Sequence, residues 1–297
     1  MSGRPAAALL LAVAAAGCGD VREPYRVAER SRVDLSANVS EELSKAGSRK
    51  IEVFLAGTAD GRGTVSLRVT RVRYERTRPD VPVVVVDTGE AVPDATDRTP
   101  EDRAVARILH RSVSASVTAR FDARTGLAAL EGVGAALGAR GGDADEDEAA
   151  AGLAPLVGDA TLLATLRAAG LCEVPDAAER RRGDAERRIE VDVPGLGVVR
   201  PLLLGDAGRE TDGSPVVQLS GSVREADVVR AKESDAPPAP PPEVGAVVVQ
   251  DLEIRSQTLH DPESLRPLRG HLEVVVPFAG GLVLRRRTDF RCVVSPP

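Results

Sequence analysis

Apolar and polar residues alternate one for one through much of this chain, and that period limits its architecture more than any other feature. Val33, Leu35, Ala37 and Val39 recur at every second position, as do Ile51, Val53 and Leu55, and then Val65, Leu67 and Val69. Successive side chains on a strand point to opposite faces, so such runs are β-strands with one buried side. Between the second and third runs stands Asp60-Gly61-Arg62-Gly63, rich in residues that tolerate positive φ, which predicts a hairpin turn. After Val69 the apolar positions change parity, to Val72 and Tyr74. A parity change inside one strand predicts a bulge near Thr70–Arg71. Glu41-Glu42-Leu43, just past the first run, reads alternatively as a helical turn.

The signals change type beyond an apolar run at Val83–Val86. Thr99-Pro100-Glu101-Asp102 has a hydroxyl at the N-cap, Pro at N1 and acids in the first turn, and it opens a helix whose apolar stripe is Val105, Ile108 and Leu109. A strand with Val113, Ala115, Val117, Ala119 and Phe121 on one side follows, and Asp122–Gly126 turns it back toward Leu127–Leu130. Ala149–Ala154 reads as helical as far as Pro155. Asp159 is placed to cap a second helix, with Leu162, Leu163, Leu166 and Ala169 inward and Gly170 as its stop. The charged run Ala178–Arg188 reads as a solvated loop. Strands return at 189–193, at 198–204 with Pro201 marking an edge or bulge, and at 216–223. Asp235–Glu243 (DAPPAPPPE) is an extended connector. Three further strands are expected at 246–255, 270–278 and 282–294, the last two joined by Ala279-Gly280-Gly281. In the last, Leu282, Leu284, Phe290, Cys292 and Val294 share one side, opposite Arg285, Arg287, Asp289 and Arg291. The expected class is α+β: a mostly antiparallel, strongly curved sheet, either a half-barrel or two packed sheets, with two or three helices. Two β-rich parts, 33–142 and 143–297, form two halves or one continuous domain.

Composition narrows the functions. The 297 residues include no Trp, two Tyr and four Phe, so Val, Leu and Ala must fill the core. Only Lys45, Lys50 and Lys232 are lysines, which leaves 36 of the 39 basic residues as Arg. A net charge of -6 and 2% aromatic content exclude a general nucleic-acid binder. The histidines His110, His260 and His271 are scattered, and no zinc spacing, nucleophile elbow or phosphate loop occurs. Asp143, Asp145 and Asp147 have the opening spacing of a calcium loop, but Glu148 and Ala154 stand where Gly and Glu are needed, so the acids read as a helix cap. The expectation is no enzyme, no metal and no cofactor.

The N-terminus carries an address. Arg4 precedes an uncharged run, Ala6–Ala16, which has the size of a signal-peptide core and is too short to span a bilayer. Ala15-Ala16-Gly17-Cys18 then resembles the bacterial lipobox, after which the cysteine is diacylated and becomes the first mature residue. Ala15 stands where the motif usually has Leu, which keeps ordinary secretion with cleavage after Ala14–Ala16 open. The resemblance implies a signal peptide over 1–17, lipidation at Cys18 and a lipidated tether over 18–32. Cys172 and Cys292 remain; they either form one disulfide, closing a loop of roughly 120 residues worth about 4–5 kcal/mol, or stay as buried hydrophobes.

The lipobox, hairpin pair, strand ending in a turn like Asp122–Gly126, middle helix and second strand set resemble uncharacterised bacterial lipoproteins. A more distant similarity is to the open half-barrels that carry lipoproteins through the periplasm. These resemblances imply an extracytoplasmic binding or scaffold module, lipid-anchored to the cell membrane or the outer membrane, whose partner is a lipid or another envelope protein. A binding module of this kind predicts an apolar cavity above about 300 Å³. The alternatives are a structural surface protein without a pocket, and an envelope hydrolase with a His beside a carboxylate in a cleft.

Overall fold

The computed structural model describes residues 25–90, 99–123, 125–137, 144–172, 177–193, 196–224, 227–229, 247 and 251–297. The apolar leader, Cys18, the glycine-rich stretch at 138–143 and the Pro-rich connector lie outside the described residues.

The strands are β1 (Arg32–Leu43), β2 (Gly47–Ala59), β3 (Thr64–Arg78), β4 (Val81–Asp87), β5 (Ser116–Asp122), β6 (Gly126–Glu131), β7 (Asp184–Arg188), β8 (Val191–Val193), β9 (Gly197–Val199), β10 (Leu202–Arg209), β11 (Pro215–Ser222), β12 (Glu253–His260), β13 (Pro267–Pro277) and β14 (Val283–Ser295). The helices are α1 (Pro100–Ser112), α2 (Val133–Leu137), α3 (Ala144–Val157), α4 (Asp159–Leu166), continued by a π-helical turn at Arg167–Leu171, and α5 (Ala177–Arg182). Among the described residues, twelve strands form one sheet in the order β6-β5-β3-β2-β1-β14-β13-β12-β11-β10-β7, with β4 added to β3; β8 and β9 form a separate pair. All pairings are antiparallel. The first half runs outward from the centre to one edge and the second half to the other. They meet where β1 pairs with β14, so a single sheet crosses the boundary near residue 142.

One face of this sheet is covered by helices. On β1 the covered residues are Val33, Leu35, Ala37, Val39 and Glu41, so the alternation persists through Glu41 and the helical turn considered there does not form. Asp60 closes the β2–β3 turn, its carboxylate accepting from the N–H groups of Arg62 (2.7 Å) and Thr64 (2.9 Å). The bulge falls where the parity changes: Leu55 faces Val69, Phe54 faces Arg71, and Thr70 is the extra residue. Its hydroxyl donates to the Phe54 carbonyl at 3.0 Å. The Ala279-Gly280-Gly281 turn joins β13 to β14, with Phe278 N–H donating to Leu282 O at 2.9 Å.

Several expectations are corrected. Val113 and Ala115 belong to the turn after α1, where Ser114 has φ 71, and the strand begins at Ser116. α3 does not stop at Pro155 but continues to Val157. The Ala178–Arg188 run is helix α5 and edge strand β7: Ala185 points inward and buried Glu179 takes Arg187, which gives the run one covered side. The 198–204 signal splits at Pro201 into β9 and β10, which sit in different sheets. Residues 25–31 are not a free tether, because Tyr25, Val27 and Ser31 are buried. By length and composition 144–171 would pass for a membrane span. In the fold it breaks at Gly158, and its Leu153, Leu156, Leu162, Leu166 and Leu171 are core residues.

The helical layer is bonded to the sheet by arginines. Arg286 of β14 lies directly opposite Glu41 of β1 and donates to it from Nε at 2.8 Å, while its Nη2 reaches the Pro155 carbonyl in α3 at 3.3 Å. Arg49 of β2 donates to the same carboxylate at 2.8 Å and to Gly152 O of α3 at 2.9 Å. Arg76 of β3 pairs with Asp102 and, at 2.6 Å, with Glu101 at the start of α1. Glu146 of α3 accepts from Arg107 (2.7 Å) and Arg111 (2.8 Å) of α1. Burial raises the Glu41 carboxyl, but Arg286 and Arg49 outweigh it and hold the group below the usual glutamate range.

Removing one partner of a buried pair strands a charge, which costs about 3–5 kcal/mol. Urea unfolding of Arg286→Met is expected to show a loss of that size, and the double variant Glu41→Met/Arg286→Met a much smaller one. Because the folded Glu41 pKa is depressed, its contribution is complete above the ordinary glutamate range and fades as the pH falls through the folded value. Stability measured from neutral to acid pH should therefore decline less steeply in Glu41→Gln than in the parent.

Candidate functional site

The candidate site lies at the end of the sheet where β1 begins, beneath the last turn of the α4 segment. The β2–β3 turn, the β5–β6 turn and the β12–β13 loop converge there, and residues 25–31 cross them. Tyr25 N–H donates to Ala123 O at 3.4 Å, Arg30 N–H to Ala59 O at 2.8 Å, and Ala59 N–H to Ser31 O at 3.0 Å. Arg266 donates to the Arg26 carbonyl at 3.2 Å. Tyr25 is only 3% exposed. It covers an apolar cavity of about 10 Å³ lined by Val27, Val33, Phe121, Leu171, Cys292 and Val294 among others. That is about the room one water molecule needs. The 300 Å³ apolar cavity expected of a lipid-holding module is not what this pocket provides.

The covered face is filled by the α4 segment instead. Leu162, Leu166 and Ala169 are fully buried. Gly170 takes φ 97, a left-handed conformation open to glycine, and a Cβ there would strike the Thr258 side chain of β12. This is the stop expected of Gly170, reached through a π-helical turn. Asp159 does not cap its own helix, whose N-cap is Gly158. Its carboxylate accepts from the N–H groups of Gly132 (3.0 Å) and Gly134 (2.7 Å), tying the start of α4 to the start of α2. A second cavity of about 10 Å³, between α4 and the sheet, is lined by Thr165, Asp192, Arg286 and Thr288, with Ala168 and Leu272.

Cys292 lines the apolar cavity, and Cys172 follows Leu171, another of its lining residues. Both are free thiols; Cys172 is half-buried and Cys292 buried. Cys172 donates weakly to Leu127 O at 3.6 Å, and Arg167 donates to Leu127 O (2.9 Å) and Ala128 O (3.0 Å). These bonds occupy carbonyls of edge strand β6, which blocks pairing by another strand. Burial raises both thiol pKa values, that of Cys292 to about 11. Burial disfavours the thiolate of both, the opposite of what activates a cysteine nucleophile.

The histidines separate. His110 lies in the last turn of α1. His260 ends β12, fully buried, with Nδ1 3.2 Å from Leu265 O. His271 lies inside β13 with Nδ1 3.0 Å from Asp289 of β14. That is a histidine beside a carboxylate, but it stands on the uncovered face of the sheet, and Asp289 also takes Arg287 (3.0 Å) and Asn38 (3.5 Å). Among the described residues no His/Cys/Asp/Glu group is arranged to hold a metal ion. Asp145 and Asp147 sit in the first turn of α3, as a cap would. The buried charges Glu41, Arg286 and Arg76, and the half-buried Arg49 that joins them, were missed from the sequence. Their signal was a charge at a core-parity position.

No protein-family profile matches the chain, and no curated protein matches it in sequence. Among solved structures, the chain is similar to one titled "lipid-protein interactions in lipovitellin", at 8% identity and a TM-score of 0.45, over 92% of this chain and 26% of that one. The chain thus spans about a quarter of that protein's length. It also has a remote likeness to a LolA superfamily protein from Nitrosomonas europaea, at 8% identity and a TM-score of 0.16, over 91% and 89% of the two chains.

Two outcomes are expected. Thiol titration of the native chain with Cys18→Ala should find Cys172 and Cys292 unreactive over minutes and fully reactive in denaturant. Gly170→Ala should lose about 1–3 kcal/mol from backbone strain alone, with the Thr258 clash adding to it, read as a lowered urea midpoint.

Proposed function

We propose that this chain is an extracytoplasmic module of the cell envelope, held at a membrane by a lipid on Cys18, that binds or scaffolds a partner through its surface. The observation that carries the surface reading is the filling of the covered face: α4 and its π-helical turn bury Leu162, Leu166 and Leu171, and the two cavities beside them hold about 10 Å³ each. Neither of these two cavities has room for a lipid-sized ligand. The lipid anchor rests on Ala15-Ala16-Gly17-Cys18 after the apolar run at 6–16. One diacyl group attaches a protein without spanning the bilayer.

The sheet in this reading is strongly curved, a half-barrel rolled around α4. The support is that the five residues Arg167–Leu171 pack on β6 and also on β12, β13 and β14. β6 and β13 are six strands apart in the sheet order, about 29 Å if the sheet were flat. A five-residue turn reaches both only if the sheet bends.

The reading includes no catalytic step, because burial disfavours both thiolates and the His271–Asp289 pair is bonded to Arg287 and Asn38 on an open face. Cells expressing the chain and fed a palmitate analogue should label it, and Cys18→Ala should abolish the label; an equally labelled variant would refute lipidation. The purified Cys18→Ala chain should show no saturable uptake of a fluorescent fatty acid. One-to-one saturable binding would replace the surface reading with that of a carrier.

A further inference from the structure

We infer that the end of the fold carrying the β2–β3, β5–β6 and β12–β13 turns faces the lipid headgroups, and that the opposite end points away from the membrane. This rests on lipidation at Cys18. Tyr25 is decisive. It is buried and bonded to Ala123, and Arg266 and Ala59 fasten the next residues, so the chain is held at this end. Seven residue steps separate Cys18 from Tyr25, a reach of about 25 Å at full extension. β1 alone, at twelve residues, runs about 40 Å from this end to the other. The anchor is therefore shorter than the body it holds.

The near end carries both signs of charge: Arg26, Arg30 and Arg62 are exposed there, and so are Glu29, Asp60, Asp122 and Glu263. The orientation therefore rests on the short anchor and not on net charge; the exposed arginines add donors whose planar geometry matches the phosphate oxygens of headgroups. The far end carries the β1–β2 turn at 44–46 and the β13–β14 turn at 279–281, together with the ion-paired helices α1 and α3, and is left for an envelope partner.

The test uses the full acylated chain in vesicles of phosphatidylglycerol and phosphatidylethanolamine that contain a nitroxide-headgroup lipid. Single fluorophores are placed by Thr211→Cys or Glu263→Cys at the near end and by Ala46→Cys or Ala279→Cys at the far end. Cys292 is buried, and the half-buried Cys172 is replaced by Ser in every labelled variant. With the ends about 40 Å apart, near-end probes are expected to be quenched at least about twofold more than far-end probes. Mass spectrometry of the N-terminal peptide of the same sample reports acylation separately. Equal or reversed quenching on acylated protein overturns the orientation and leaves the anchor standing; an unacylated peptide overturns the anchor and the orientation with it. A further variant, Tyr25→Ser, should narrow the difference between the ends while acylation is unchanged. An undiminished difference would mean that the packing of Tyr25 does not set the orientation, and would overturn the inference.

Discussion

The sheet depends on one seam, the pairing of its first long strand with its last. β1 and β14 lie side by side over twelve residue pairs, Arg32 with Ser295 through Leu43 with Leu284. Every strand of the first half reaches the second half only through that ladder. Most covered pairs along the seam are apolar, such as Leu35 with Cys292 and Ala37 with Phe290, and apolar pairs alone tolerate sliding. Glu41 opposite Arg286 does not. A slip of two residues keeps the faces correct but sets Glu41 against Leu284 or Thr288 and leaves two buried charges unpaired. The pair thus contributes register rather than net stability, which is the best supported use of a buried ion pair.

The same residues explain how a core with so few aromatic rings carries a helical layer. Val, Leu and Ala pack closely but offer little directional constraint, and the layer is positioned by arginine. Arg286 and Arg49 reach carbonyls of α3, Arg76 holds the start of α1, and Arg107 and Arg111 join α1 to α3 through Glu146. Arginine suits this because its planar group donates several bonds at fixed angles and remains charged when buried. The α4 segment has one such clamp, Arg167 on the Leu127 and Ala128 carbonyls of β6. The rest of it enters the body as an apolar segment, and its π-helical turn at Gly170 fits against Thr258 where a methyl group would not.

Much of the sheet was legible because strand periodicity is local. The β2–β3 turn, the bulge at Thr70 and the β13–β14 turn each follow from a few neighbouring residues. The misread elements each depended on something distant. The Ala178–Arg188 run looked solvated until β10 supplied a strand for β7 to join. Residues 25–31 looked like a tether because their polar composition hides two side chains, Tyr25 and Val27, that the converging turns bury. Asp159 was assigned to its own helix because sequence proximity suggested it, whereas the N–H groups it accepts from belong to residues 25 and 27 positions earlier.

The sequence by itself determined the class: antiparallel strands with one buried face, interrupted by a few helices. Those properties follow from side-chain alternation, turn chemistry and local charge, which need no knowledge of what lies across the fold. Only the tertiary structure decided that the two halves share one sheet, that the α4 segment packs on its covered face, and that Glu41, Arg76 and Arg286 are buried there. Each of those facts is a relation between segments far apart along the chain. A charge at a core-parity position, such as Glu41 or Arg286, has a meaning only once its partner is in place.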